Sequence, residues 1–253
     1  MNRTLFVAWK SQSPAHAWYP IARLDANPGQ HEYLFRYTHG AIEASKKENF
    51  QPLVAFPDFL SEYRSSELFP LFKNRVLDKN RKDFDEYLGW LALDNRNADP
   101  IEILSITGGE RRTDNLEVFP KIEKTPESSF SCRFFLHGIR YLPESGHSRV
   151  DVLTSGERLQ VAVELNNPAT GNAIQLQSTD KHIVGYAPRY LIADLSHAMK
   201  GHPYVDAKVI RVNHDEAPLA RRVLVEICGK LPPDYEPMSS ERFVPIADSQ
   251  SRR

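Results

Sequence analysis

Residues 156–191 read GERLQVAVELNNPATGNAIQLQSTDKHIVGYAPRYL. Leu159, Val161 and Val163 alternate with Gln160, Ala162 and Glu164, the period-2 pattern of a half-buried strand. Asn166, Asn167, Pro168 and Gly171 then make a turn, because Asn and Gly tolerate positive φ and Pro fixes its own. Ala173 to Leu176 reads as a second strand, and Asp180-Lys181 returns the chain into a third at Ile183 to Tyr186. Pro188 is placed to open a helix. Short antiparallel strands joined by tight turns predict a small β-barrel rather than a parallel α/β sheet.

The chain has 253 residues, enough for two ordinary domains. Its 41% hydrophobic and 26% charged residues are usual for a soluble globular protein. Nothing approaches the roughly 18 apolar residues of a membrane span, and the first residues are too polar for a secretory leader. Two cysteines, Cys132 and Cys228, are too few for a disulfide framework, so the expected compartment is the cytoplasm. The net charge is −1, which does not mark a protein that coats long nucleic acid. Residues 128–231 hold 12 Lys and Arg against 10 Asp and Glu, enough to engage a few phosphates.

Charged residues, a Pro and two Ser over 121–129 mark a boundary, and a Pro-rich stretch after Gly229 marks another. The expected organisation is an α+β module at 1–122, a mostly-β barrel with one or two short helices at 128–231, and a Pro-rich polar tail at 232–253. In the first module, strands are expected at Thr4–Trp9, Trp18–Leu24 and His31–Tyr37, with an extended or edge segment at Leu53–Phe56. Phe84, Tyr87, Leu88 and Leu91 fall on one face of a helix within 83–93, leaving Asp83, Asp85 and Glu86 on a solvated face. Asp99 and Pro100 have the Ncap and N1 residue types of another helix, stopped at Gly108-Gly109.

No phosphate-binding glycine loop, dinucleotide fingerprint, HExxH or GxSxG occurs. His182 with His197, or His202 with His214, read as lone surface or core histidines in and around strands rather than as metal ligands. The expectation is no catalytic residue, no cofactor and no metal.

Asn167-Pro168, Asn172-Ala173-Ile174, Val184-Gly185-Tyr186-Ala187-Pro188-Arg189 and Gly138-Ile139-Arg140-Tyr141 together resemble the HIRAN domain. In eukaryotic fork-remodelling translocases that domain captures the 3′ end of single-stranded DNA. The resemblance implies an OB/SH3-like barrel binding single-stranded DNA or 3′ DNA ends, with no membrane partner. It implies Tyr141 as a stacking surface beside Arg140, a phosphate contact at Arg189, and Asn167, Thr170 and Tyr186 around the site. An ordinary structural role stands beside each: a packed Tyr141 or Tyr186, a solvated Arg189, a turn-shaping Asn167. End-capturing members carry an aromatic and an Asp after Asn-Pro, where this chain has Ala169 and Thr170. Ala cannot stack, and Thr lacks a carboxylate's acceptor strength, so loss of strict 3′-hydroxyl selectivity is expected.

Phe35-Arg36-Tyr37, Ala55-Phe56-Pro57, Phe69 to Leu77, Asp99-Pro100, Gly108-Gly109 and Leu116 to Pro120 resemble, in order, the N-terminal subdomain of HipA-type kinases. The kinase core would follow, and the HIRAN-like stretch stands in its place, so kinase activity is not carried over. Two functions follow: a non-enzymatic DNA-binding protein, or an antitoxin-like regulatory partner of a kinase or defence effector that binds protein through its first module.

Overall fold

Two antiparallel sheets organise the chain in the computed structural model, which describes residues 3–12, 17–94, 98–111, 113–201, 205–214 and 217–247. In chain order the elements are β1 (Arg3–Lys10), β2 (Trp18–Asn27), β3 (Glu32–Tyr37), α1 (His39–Glu48), β4 (Glu62–Ser65), α2 (Pro70–Lys73), α3 (Phe84–Trp90), α4 (Pro100–Thr107) and β5 (Leu116–Pro120). There follow β6 (Ser129–Phe135), α5 (Glu144–Asp151), β7 (Arg158–Asn167), β8 (Gly171–Gln177), β9 (Ile183–Tyr186), α6 (Ile192–Gly201), β10 (Asp206–Val212) and β11 (Val223–Lys230). Two compact units result: residues 1–81, 99–121 and 238–253, and residues 82–98 and 122–237. Thus α3 falls in the second unit, and the tail divides after Pro237.

The first unit is built on the sheet β4-β3-β2-β1-β5. Alternation sends Leu5, Val7, Leu24, Phe35 and Tyr37 into a core with Ala41 and Ala44 of α1 and Ile101 and Leu104 of α4. Phe6 meets Phe243 edge-on at 5.0 Å, so the returning C-terminal segment covers other apolar groups of the same sheet. Asp99 caps α4, accepting from the Ile101 N–H at 3.0 Å, and Gly108 ends it at φ +73°. Leu53–Phe56 is a turn, not an edge strand. The Phe56 N–H donates to the Leu53 carbonyl at 2.8 Å, and its ring stacks on Phe35 at 3.7 Å. The Tyr37 hydroxyl also bridges the segment, accepting from the Leu53 N–H at 2.7 Å and donating to the Phe56 carbonyl at 2.8 Å.

Asp25 gathers the charged groups of this sheet. It accepts from Thr4 Oγ1 at 2.7 Å, from Arg23 Nε at 2.9 Å and Nη2 at 2.7 Å, and from Arg36 Nη2 at 2.8 Å. Burial alone would raise its pKa, but the hydrogen bonds and charge of Arg23, with those of Thr4 and Arg36, outweigh it and hold the carboxyl below its ordinary value.

The second unit carries the sheet β6-β11-β10-β7-β8-β9. It is open rather than a barrel closed along full strands. Its two ends meet at a single bridge, where His137 and Tyr186 exchange backbone hydrogen bonds of 2.9 Å each way. The core includes Phe134, Leu159, Ile174, Leu176, Val184, Val209 and Val225. Helix α6 packs on β8 and α5 on β9. Tyr235 of the tail donates to Asp194 Oδ1 at 2.7 Å and stacks on His197 at 4.2 Å. Cys132 and Cys228 are free thiols on adjacent strands. No described helix is long and apolar enough to cross a membrane, no group of three or more metal-ligating side chains occurs among the described residues, and His202 lies outside them.

Because the folded pKa of Asp25 is depressed, its contribution is present above the ordinary carboxylate pKa of about 3.9 and lost as pH falls through the folded value. The thermal midpoint should therefore drop as pH falls from about 5 towards 2. Asp25→Asn should be less stable at pH 7 and should show a shallower acid decline by calorimetry.

Candidate nucleic-acid interface

The turn between β7 and β8 is held by one side chain. Asn167 Oδ1 accepts from the backbone N–H of Ala169 at 3.0 Å, from that of Thr170 at 3.2 Å, and from Thr170 Oγ1 at 3.1 Å. Its Nδ2 donates to Glu164 Oε1 at 3.1 Å. Asn166 at φ +60° and Gly171 at φ +76° supply the left-handed corners, and the strand register shifts between Leu165 and Asn167. The Thr170 proton is therefore committed inward, and towards a ligand the hydroxyl offers lone pairs only. Arg189, in a 3₁₀ turn ahead of α6, reaches the Ala169 carbonyl with Nη2 at 3.5 Å.

Tyr186 lies half-buried beside this turn. Burial first, then the charge of Glu164, raises its phenol pKa, which keeps the hydroxyl a donor at neutral pH. The Glu164 carboxylate takes hydrogen bonds from the Tyr186 hydroxyl and the Asn167 amide, while Gln175 Oε1 nearby is buried without a partner. Gln175 pairs across the sheet with both Ala162 of β7 and Tyr186 of β9, which puts these polar groups on one face.

Gly138 couples this face to the next element. It sits at φ +73°, and a Cβ there would stand 2.7 Å from Tyr186 Cδ2. The residue must be glycine both for its backbone conformation and for the ring packed on it. It starts the 3₁₀ turn Ile139–Tyr141, in which Ile139 is buried while Arg140 and Tyr141 point outward. Tyr141 is 82% exposed, and the Arg140 guanidinium lies 5.9 Å from its ring centroid. A ring this exposed contributes little to the core; its face is free to stack.

Of the six residues singled out from sequence, Asn167, Thr170 and Arg189 meet at the turn and Tyr186 lies against the Glu164 it holds. Arg140 and Tyr141 follow from the glycine on which Tyr186 rests. Glu164 and Gln175 were missed. Both sit at ordinary outward strand positions, and only the fold buries their oxygens.

Residues 129–231 match the family model of the HIRAN domain, which covers the six-stranded sheet and this site. No curated protein matches the chain. Two solved structures are similar. One is a protein from Lactobacillus plantarum, at 15% identity and TM-score 0.33, covering 41% of this chain and 99% of the other. The second is the HIRAN domain of human HLTF, at 19% identity and TM-score 0.32, covering 48% of this chain and 87% of that one.

Gly138→Ala should cost about 2 kcal/mol or more, by backbone strain and the clash with Tyr186. Asn167→Ala should cost about 1–2 kcal/mol by leaving the turn amides unpaired. Urea unfolding measures both. A Gly138→Ala variant as stable as wild type would show that Tyr186 does not need that surface.

Proposed function

We propose that the chain is a non-enzymatic DNA-binding protein that engages single-stranded DNA or DNA ends through residues 129–231. The observation that carries this reading is Tyr141: an 82% exposed ring with an arginine beside it, on the domain whose family match implies DNA binding. Stacking of one base on such a ring contributes about 1–3 kcal/mol. Arg140 and Arg189 supply phosphate contacts, and the pre-formed Asn167 turn holds Arg189 near Tyr186 at no ordering cost on binding. Thr170, with its proton spent on Asn167, accepts a hydrogen bond from a terminal hydroxyl but lacks a carboxylate's strength. Selectivity between 3′-hydroxyl and 3′-phosphate ends is therefore small.

The first unit serves protein contacts in this reading. Val54 is 99% exposed and Leu60 52% exposed, within one loop of that unit. Its likeness to the HipA N-terminal subdomain belongs to the same proposal. Its support is the order of matching segments, with Phe35-Arg36-Tyr37 in β3, Asp99-Pro100 opening α4 and Leu116–Pro120 as β5. A regulatory protein that binds a kinase or defence effector through that loop, and no DNA at all, is the competing reading.

Fluorescence anisotropy with short labelled oligonucleotides at one stated salt tests the proposal. Single strands should bind more tightly than blunt duplex. Hydroxyl and phosphate 3′ ends should differ by less than about tenfold. Tyr141→Ala with Arg189→Ala should weaken binding about tenfold or more without a matching loss of thermal stability. Equal affinity in the double variant would remove the site, and no binding at low salt would leave the protein-contact reading.

A further inference from the structure

Helix α3 comes from far upstream of the family-matched stretch, yet it folds into the same unit. Phe84, Leu88 and Leu91 are buried and anchor it. Its other side faces the end of β10 across a cleft of about 630 Å³, lined on the helix by Asp85, Glu86 and Trp90 and on the strand side by Arg211 and Asn213. That volume suits a single small ligand such as a nucleoside.

The cleft is organised before any ligand arrives. Asn213, 3% exposed, donates through Nδ2 to the Trp90 carbonyl at 3.1 Å and to the Arg221 carbonyl at 2.7 Å. Its Oδ1 accepts from Arg211 Nε at 3.0 Å, which fixes the guanidinium from behind and leaves its outer nitrogens towards the cleft. Gly89 keeps the helix wall low, since a Cβ there would stand 3.8 Å from Arg211 Nη2. An indole, a pinned guanidinium plane and two carboxylates together describe the surroundings of a nucleobase. Planar groups stack on it, and carboxylates accept from its ring N–H and amino groups. The same carboxylates repel phosphate, so the backbone of a bound strand stays at the rim.

The surface leads there from Tyr141. The 3₁₀ turn Leu219–Arg221 packs beside the turn Ile139–Tyr141, and the Arg221 carbonyl is one of the two that hold Asn213. We propose that a strand engaged at Tyr141 continues past this turn and places one unstacked base in the α3–β10 cleft. Bases with amino groups are favoured over thymine, and guanine most, because its N1–H and N2–H₂ form a donor pair for Glu86. This inference rests on the strand-binding reading of the Tyr141 face.

The experiment uses the full chain, labelled oligonucleotides of three and eight nucleotides in all-thymine and guanine-substituted forms, and guanosine monophosphate. Wild type should gain about fivefold or more in affinity from the short to the long guanine-bearing strand. Arg211→Ala, and Gly89→Leu, which fills the cleft from a helical position with room for a side chain, should lose that gain and keep the short-strand affinity. Tyr141→Ala should lose short-strand binding instead. Guanosine monophosphate should quench indole emission in wild type and not in Trp90→Phe. An unchanged length gain in both cleft variants, or equal gains for thymine and guanine strands, would overturn the cleft proposal while leaving the Tyr141 site intact. Absence of short-strand binding in wild type would instead overturn the strand reading, and with it the proposed path to the cleft.

Discussion

Everything on the face that carries Tyr186 and Tyr141 depends on how closely two backbones approach where β9 passes the end of β6. His137 and Tyr186 exchange hydrogen bonds there. Gly185, at φ +154°, would place a Cβ 2.8 Å from Leu136 Cβ, and Gly138 would place one 2.7 Å from the Tyr186 ring. Two missing methyl groups therefore let the ends of a six-stranded sheet meet. Without that contact Tyr186 has no floor, the 3₁₀ turn after Gly138 has no fixed direction, and Arg140 and Tyr141 have no shared orientation.

A second layer of order comes from short-range polar chemistry. Asn167 satisfies two turn amides and a hydroxyl with one oxygen, and grips Glu164 with its nitrogen. The buried acceptors of Glu164 and Gln175 stand on the face of Tyr186.

The local elements were legible in the sequence because their signals are local. Alternation marked β7, although its far end departs from it, with Val163 39% and Leu165 69% exposed and a Glu164 oxygen buried; Asn-Pro-x-x-Gly marked the turn, and Asp99-Pro100 with Gly108 bracketed α4. Helix α1 was not, since His39–Glu48 holds only small or charged residues around Ile42 and has no apolar stripe wide enough to read. Leu53–Phe56 misled because an apolar run between prolines resembles an edge strand, whereas its geometry is set by the stacking of Phe56 on Phe35 and by the Tyr37 hydroxyl that bridges it. The six candidate site residues came from a family pattern. The α3–β10 cleft was not: its walls lie more than a hundred residues apart, and Asp85 and Glu86 read only as a solvated helix face.

The order of segments along the chain also bears on how the protein is made. The first unit takes in residues on both sides of the second, and its sheet is completed by Phe243, which packs on Phe6, and by Arg242, which donates to the Trp18 carbonyl at 3.0 Å. During synthesis from the N-terminus, Phe6 and Phe119 can meet each other and Trp18, but lack Phe243 until residues 238–247 leave the ribosome. The intervening unit by then has all of its own residues, 82–98 and 122–237, available. Residues 1–81, although made before the second unit, thus complete their packing only after that unit has emerged.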